Sequence, residues 1–336
     1  MKKIALNICV ILIFLVLAAC GDANGEGNVK LRIAHDSSAS HPTNIALQEF
    51  AENVEERSEG EISIELFPAS QIGNATEIME QVRRGDAEMG LGASTHFTSL
   101  IPELAVWESF YLFDDAEHAH RVLDSEIGEL TMEPLEDFNL TGLGYMEIGF
   151  RNFSNNKQPL ETMEDFNGIK IRGYNPLQIK AWESLGVSLT NIAWDELFTS
   201  LSQNLIDGQE SATTSFFDEN FYEVQDYWSL TMHSYTNYLW YANQEFMNDL
   251  SDEHREIIEE EINNAIEHER ELMDELEVET LEQLPDEGVE INEVPLEERH
   301  KMGEQMNEAI QKDIIEQTGQ ELYDQVMEGI EDYREE

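Results

Sequence analysis

The chain has 336 residues, of which 71 are Asp or Glu and 19 are Lys or Arg, for a formal net charge of -52. A chain this long can bury a large core and favours two lobes over one, and 41% hydrophobic with 9% aromatic residues excludes bulk disorder. The charge excludes nucleic acid, whose phosphates it would repel, and fits a strongly hydrated protein of a saline or alkaline setting.

The first segment reads as a leader. "MKK" is a basic n-region, "IALNICVILIFLVL" an apolar h-region, and residues 1-19 together form a signal peptide. "LAAC" (Leu17 to Cys20), followed by Gly21, is similar to the lipobox of bacterial lipoproteins. That resemblance implies that Cys20 becomes a lipidated N-terminus and that residues 20-28 form a polar tether. The other cysteine, Cys9, lies in the leader, so the mature chain is expected to hold no disulfide and no thiolate metal site. No later apolar run approaches the roughly 18 residues that cross a bilayer. The expected location is extracytoplasmic, with the body lipid-anchored to the cell membrane.

"VKLRIAHD" alternates as a strand, and "NIALQEFAENVEER" follows as a helix with Ala46, Phe50 and Val54 on one face. "SEGEISIELF" is a turn and strand, "NATEIMEQVRRG" a capped helix stopped by Gly85, and "AEMGLGA" a buried strand. "DAEHAHRVLDSEIGELTMEPLEDF" reads as helical, and "LTGLGYMEIGF" returns to strand. A second unit repeats the order: strand "GIKIRG", helix "NPLQIKAWESLG", strand "VSLTNI", helix "AWDELFTSLSQN" and strand "LIDGQES". "TNYLWYANQEF" is a long apolar strand. A helix then runs from Ser251 almost to Pro285, with Ile258, Ile262, Ala265, Leu272 and Leu276 at helical spacing and acids on its other faces. "GVEINEV" is a short strand, and "LEERHKMGEQMNEAIQKDII" begins the terminal helices.

Chemical motifs are scarce. There is no glycine-rich phosphate loop, no G-x-S-x-G elbow and no H-E-x-x-H, and His118 and His120 in "EHAH" point to different sides of a helix. No metal, cofactor or enzymatic activity is expected.

Several stretches resemble the solute-binding proteins of TRAP (tripartite ATP-independent periplasmic) transporters, of the DctP type. They include "LRIAHDSSASHPTNIALQEFAENVEERSEGEISIELFPASQIGN", "EIMEQVRRGDAEMGLGAS", "FYLFDDAEHAHRVLD", "GFRNFSNNKQPLETMEDFNGIKIRG" and "AWESLGVSLTNIAWDELFTSLSQNLIDGQES". The resemblance implies an α/β, two-lobed periplasmic-binding-protein-like clamp (type II-like), with the lobes joined by strands and a long helix. The lobes would be 29-149 plus 239-275 and 150-238 plus 276-336, with the helix over 251-284 spanning both. It also implies a small organic acid as ligand, captured by hinge closure and delivered to the TRAP permease membrane subunits.

Arg172, at the end of "KIRG", matches the family arginine that pairs bidentately with a ligand carboxylate, a geometry guanidinium offers and lysine does not. Arg151 in "GFRNF" matches a second arginine near the site. "DGQES" departs from the usual D-G-Q-E-N: Glu210 is kept, and Ser211 stands where an asparagine would contact the carboxylate. Asp36, Phe97 and Trp194 match ligand-contacting places in the ectoine-binding branch. They carry an alternative reading, a zwitterionic compatible solute held by an acid and two aromatics. A sensor that presents its loaded clamp to a receptor kinase is the alternative from another class. The acidic background does not oppose anion capture, since charges beyond about 8 Å are screened at physiological salt.

Overall fold

The structure, a computed structural model, describes residues 29–173 and 175–334, so the leader, Cys20 and the tether lie outside the described residues. Its strands are β1 (Val29–Ala34), β2 (Ile62–Phe67), β3 (Met89–Ala93), β4 (Leu140–Asn155), β5 (Lys170–Gly173), β6 (Ser188–Asn191), β7 (Gly208–Ala212), β8 (Tyr227–Asn243) and β9 (Glu290–Glu293). They form one sheet in the order β2-β1-β3-β8-β4-β7-β5-β6, with β9 paired to β8.

The sheet has two ends built alike. At one end β2, β1 and β3 run parallel and β3 meets β8 antiparallel; at the other, β6, β5 and β7 run parallel and β7 meets β4 antiparallel. β4 and β8, 16 and 17 residues long, pair with each other and pass through both ends. At about 3.4 Å per residue each spans roughly 50 Å. β4 therefore continues through "RNFSN", across the boundary expected at residue 149, and β8 begins at Tyr227, before the "TNYLWYANQEF" stretch. The early part of β8 alternates in burial because one face is uncovered; Asn237 to Asn243 are all buried because both faces are covered. Register shifts after Gly142, Glu147 and Arg151 bend β4, and Gly149 (φ +91) and Met232 (φ +47) take left-handed backbone on the two facing strands.

Close approaches between layers explain small residues. A Cβ at Gly92 would lie 2.6 Å from the Phe97 ring. A Cβ at Gly208, the first residue of β7, would lie 2.0 Å from the Ser154 carbonyl oxygen of β4. Backbone cannot yield as a side-chain tip does, so Gly208→Ala is expected to cost about 3 kcal/mol. A lowered urea midpoint measures this; an unchanged midpoint refutes it.

The helix Asp252–Gln283 packs on the helix Pro42–Arg57, on β4 and on the helix Thr213–Asp218. Ile258, Ile262 and Ala265 are buried as the spacing predicts, but the inward positions then become Glu269, Met273 and Thr280, with Leu272 and Leu276 half-buried. The reason is polar. Glu269 accepts from the Glu147 amide (3.1 Å) and Thr43 Oγ1 (3.2 Å), and Glu277 accepts from Thr213 Oγ1 (3.1 Å). Burial and the neighbouring Glu147 hold the Glu269 carboxyl well above the usual range. The helix is thereby fastened to both ends of the sheet through groups that a hydrophobic pattern does not register.

Candidate functional site

A cleft of about 680 Å³ lies where the two ends of the sheet face each other. Residues at the carboxyl ends of β1, β3 and β5 open into it, and β4 and β8 cross it, the usual place for a ligand in an open α/β sheet.

Arg172 is the third residue of the four-residue β5, and Gly173 ends the strand. Its Nε donates to the Ile192 carbonyl at 2.9 Å, and its guanidinium lies 5.1 Å from the centroid of the Trp194 ring. The Trp194 Nε1 donates to Glu219 Oε1 at 3.0 Å. Arg172 is thus held from the side and from below, with its side chain in the wall of the cleft.

Arg151 comes from β4 and Glu210 from the adjacent β7. Arg151 Nε donates to Glu210 Oε2 (2.6 Å), and Nη2 donates to Glu210 Oε1 (3.0 Å) and to the Glu210 carbonyl (2.9 Å). His233 Nε2 also contacts Glu210 Oε2, at 3.0 Å, and Gln178 Nε2 donates to Oε1 at 3.4 Å. Burial pushes the Glu210 carboxyl up, but Arg151 and the His233 hydrogen bond outweigh it and hold it at about 2. Burial pulls the His233 imidazole below its ordinary value against the pull of Glu210, so its Nε2 proton faces Glu210 and its Nδ1 accepts from Thr231 Oγ1 (2.8 Å).

Across the cleft, the Tyr238 hydroxyl donates to Asp36 Oδ1 in a short hydrogen bond, and accepts from the Asp36 amide and Ser37 Oγ, both at 3.3 Å. Glu108 closes the 3₁₀ turn Pro102–Glu108 and accepts from Asn175 Nδ2 at 3.2 and 3.0 Å. Burial pushes the Glu108 carboxyl up to about 7; Asn175 and Arg151 oppose the rise and Glu210 adds to it. Burial also pulls the His96 imidazole down; Asp36 opposes this, and Arg151 and Arg172 reinforce it.

Of the side chains expected at a site, Arg172, Arg151, Glu210, Trp194 and Asp36 line this cleft. Two do not, and those expectations are corrected. Phe97 is 1% exposed and packs edge-on against Tyr241, its centroid 5.5 Å away, with the core beneath β3. Its neighbour His96 faces the cleft instead. Ser211 is fully buried and donates to the Ala212 carbonyl (3.2 Å): successive strand residues point to opposite faces, so with Glu210 turned to the cleft Ser211 turns away. Sequence reading also missed Glu108, Gln178, His233 and Tyr238. Only Glu108 left a signal, as a lone acid inside the apolar run "LAVWESFYLF", where a carboxyl needs a partner or a task.

Among the described residues, no group of His, Cys, Asp or Glu is arranged to hold a metal ion, and no helix is long and apolar enough to cross a membrane.

Residues 33–317 match the family profile of the bacterial extracellular solute-binding proteins, family 7, the DctP family. The 2,3-diketo-L-gulonate-binding periplasmic protein of Escherichia coli is 32% identical over 262 residues, 78% of this chain and 80% of that one. A TRAP periplasmic solute-binding protein of Ochrobactrum anthropi, solved with its C-terminus in the ligand-binding pocket, superposes with a TM-score of 0.89 at 28% identity, over 92% of this chain and 97% of that one. The sugar acid binding protein of Advenella mimigardefordensis, solved with galactonate, superposes with a TM-score of 0.82 at 27% identity, over 91% and 99%. Members of the family are extracytoplasmic, bind small organic acids and work with membrane permease subunits. With the two-ended sheet, the cleft between its ends and a match across almost the whole body, this chain belongs to the family 7 extracellular solute-binding proteins, the TRAP transporter type.

Proposed function

We propose that the protein captures a polyhydroxylated monocarboxylic acid, of the sugar acid class, and hands it to the TRAP permease subunits from a lipid anchor at Cys20. One observation carries this reading. The cleft brings the Arg172 guanidinium, which lies on Trp194, together with the hydrogen-bond acceptors Asp36 and Glu108 and with the Arg151–Glu210 pair. One carboxylate fits a guanidinium through two parallel N–H donors, and hydroxyl donors fit the acceptors. A second carboxylate would meet acids. The galactonate bound by the Advenella protein and the diketogulonate of the Escherichia coli protein's name support the same class.

The cleft closes by bending β4 and β8 near Gly149 and Met232, between lobes 29-149 plus 239-275 and 150-238 plus 276-336. The zwitterion reading loses support, because Phe97 is core and the Trp194 face is covered by Arg172.

A thermal-shift screen with D-galactonate, D-glucuronate, succinate and ectoine tests the proposal. Stabilisation by about 2.7 kcal/mol is expected from a sugar acid at 100 times its dissociation constant. A response to ectoine alone, to succinate alone, or to none of the four refutes it.

A further inference from the structure

We propose that Glu108, positioned by Asn175, is the residue that selects against a second carboxylate and for a hydroxyl donor on the ligand. The inference rests on the sugar acid reading and assigns its specificity to one wall of the cleft.

The geometry is built around one asparagine. Asn175 Oδ1 accepts from the Gln178 amide at 2.7 Å and caps the helix Pro176–Ser184, which fixes the side chain. Its Nδ2 then points at both Glu108 oxygens. An amide spends one proton per hydrogen bond, so the Glu108 carboxylate retains lone pairs for a further donor. Beside it Gln178, also in the wall of the cleft, is 3% exposed, and its Oε1 has no hydrogen-bond partner. The Gln178 Nε2 faces Glu210 Oε1, and reversing the amide would set two acceptors against each other, so Oε1 is the orphan. Two acceptors on one wall, one of them unsatisfied and buried, call for hydroxyl donors rather than an anion.

The charges around Glu108 do not cancel it. β4 brings Arg151 and β7 brings Glu210, which bind each other, and β8 brings His233, bonded to Glu210. Asn175 and Gln178 face it uncharged. The helix Leu296–Thr318, behind the turn, meets this region through Asn307, which bonds the Phe110 backbone, and through buried Met302 and Met306. Ionised Glu108 repels a carboxylate placed beside it, whereas its neutral form tolerates one. Since the carboxyl stands at about 7, discrimination rises as pH passes through neutrality.

The test compares dissociation constants for D-galactonate and succinate, measured by calorimetry on the soluble chain from pH 6.5 to 8. In the native protein the succinate-to-galactonate ratio is expected to rise about eightfold across this range, following the loss of protonated Glu108. Glu108→Gln keeps the shape and removes the charge; its ratio should be flat with pH and at least tenfold lower than native at pH 8. Asn175→Asp keeps the helix cap, adds a neighbouring charge and should move the rise to higher pH. A native ratio that is flat with pH, or a Glu108→Gln ratio within twofold of native at pH 8, overturns the assignment while leaving the sugar acid reading intact. Native protein that binds neither compound overturns both.

Discussion

Replacing Arg172 by lysine is expected to raise the dissociation constant for D-galactonate roughly 30- to 150-fold, a loss of about 2 to 3 kcal/mol. Lysine keeps the positive charge, so long-range attraction is nearly unchanged; what it loses is geometry. The native guanidinium is oriented by the Ile192 carbonyl at 2.9 Å and by the Trp194 ring beneath it, and it is planar, so two N–H groups can meet both oxygens of one carboxylate. An ammonium on a flexible stem makes one such bond and has no flat face to lay on the indole. Calorimetry checks the affinity. Affinity within threefold of native would show that the carboxylate is held elsewhere in the cleft.

Glu210→Gln is expected to act on stability instead, lowering it by about 3 kcal/mol at pH 7, because it removes the carboxylate charge that faces Arg151 in a buried site. The same pair sets an acid limit in the native protein. The Glu210 carboxyl is depressed to about 2 in the fold and titrates near 4.3 when unfolded, so its contribution is complete above about 4.3 and lost as pH falls toward 2. Urea unfolding at pH 7 and pH 3 should show a native-minus-mutant difference that shrinks at the lower pH. A difference that is equal at both values would mean that Glu210 is not held ionised by Arg151.

Much of this was readable from residue order. The two runs of strand, helix and strand, the cap at Asn74 and the stop at Gly85 are local, and the structure shows the helix they delimit. Arg172 was visible because its place at a strand end is local too. The misreadings have a different cause. Phe97 and Ser211 sit next to residues that do line the cleft, His96 and Glu210: Phe97 follows the 3₁₀ turn Ser94–His96, and Ser211 is one position along a strand, where successive side chains take opposite faces. Which of two neighbours faces the cleft depends on strand pairing, here Phe153 with Glu210 and Asn152 with Ser211.

Residue order alone thus settled the fold class and the family resemblance, since both rest on patterns within some ten to thirty residues. The composition of the cleft was decided only by tertiary structure. Arg151 and Glu210 are 59 positions apart, Glu108 and Asn175 are 67 apart, and Asp36 and Tyr238 are 202 apart. Each pair is made by two strands or turns meeting across the sheet. The pairing decides which charged and polar groups meet in the cleft, and no local spacing encodes that.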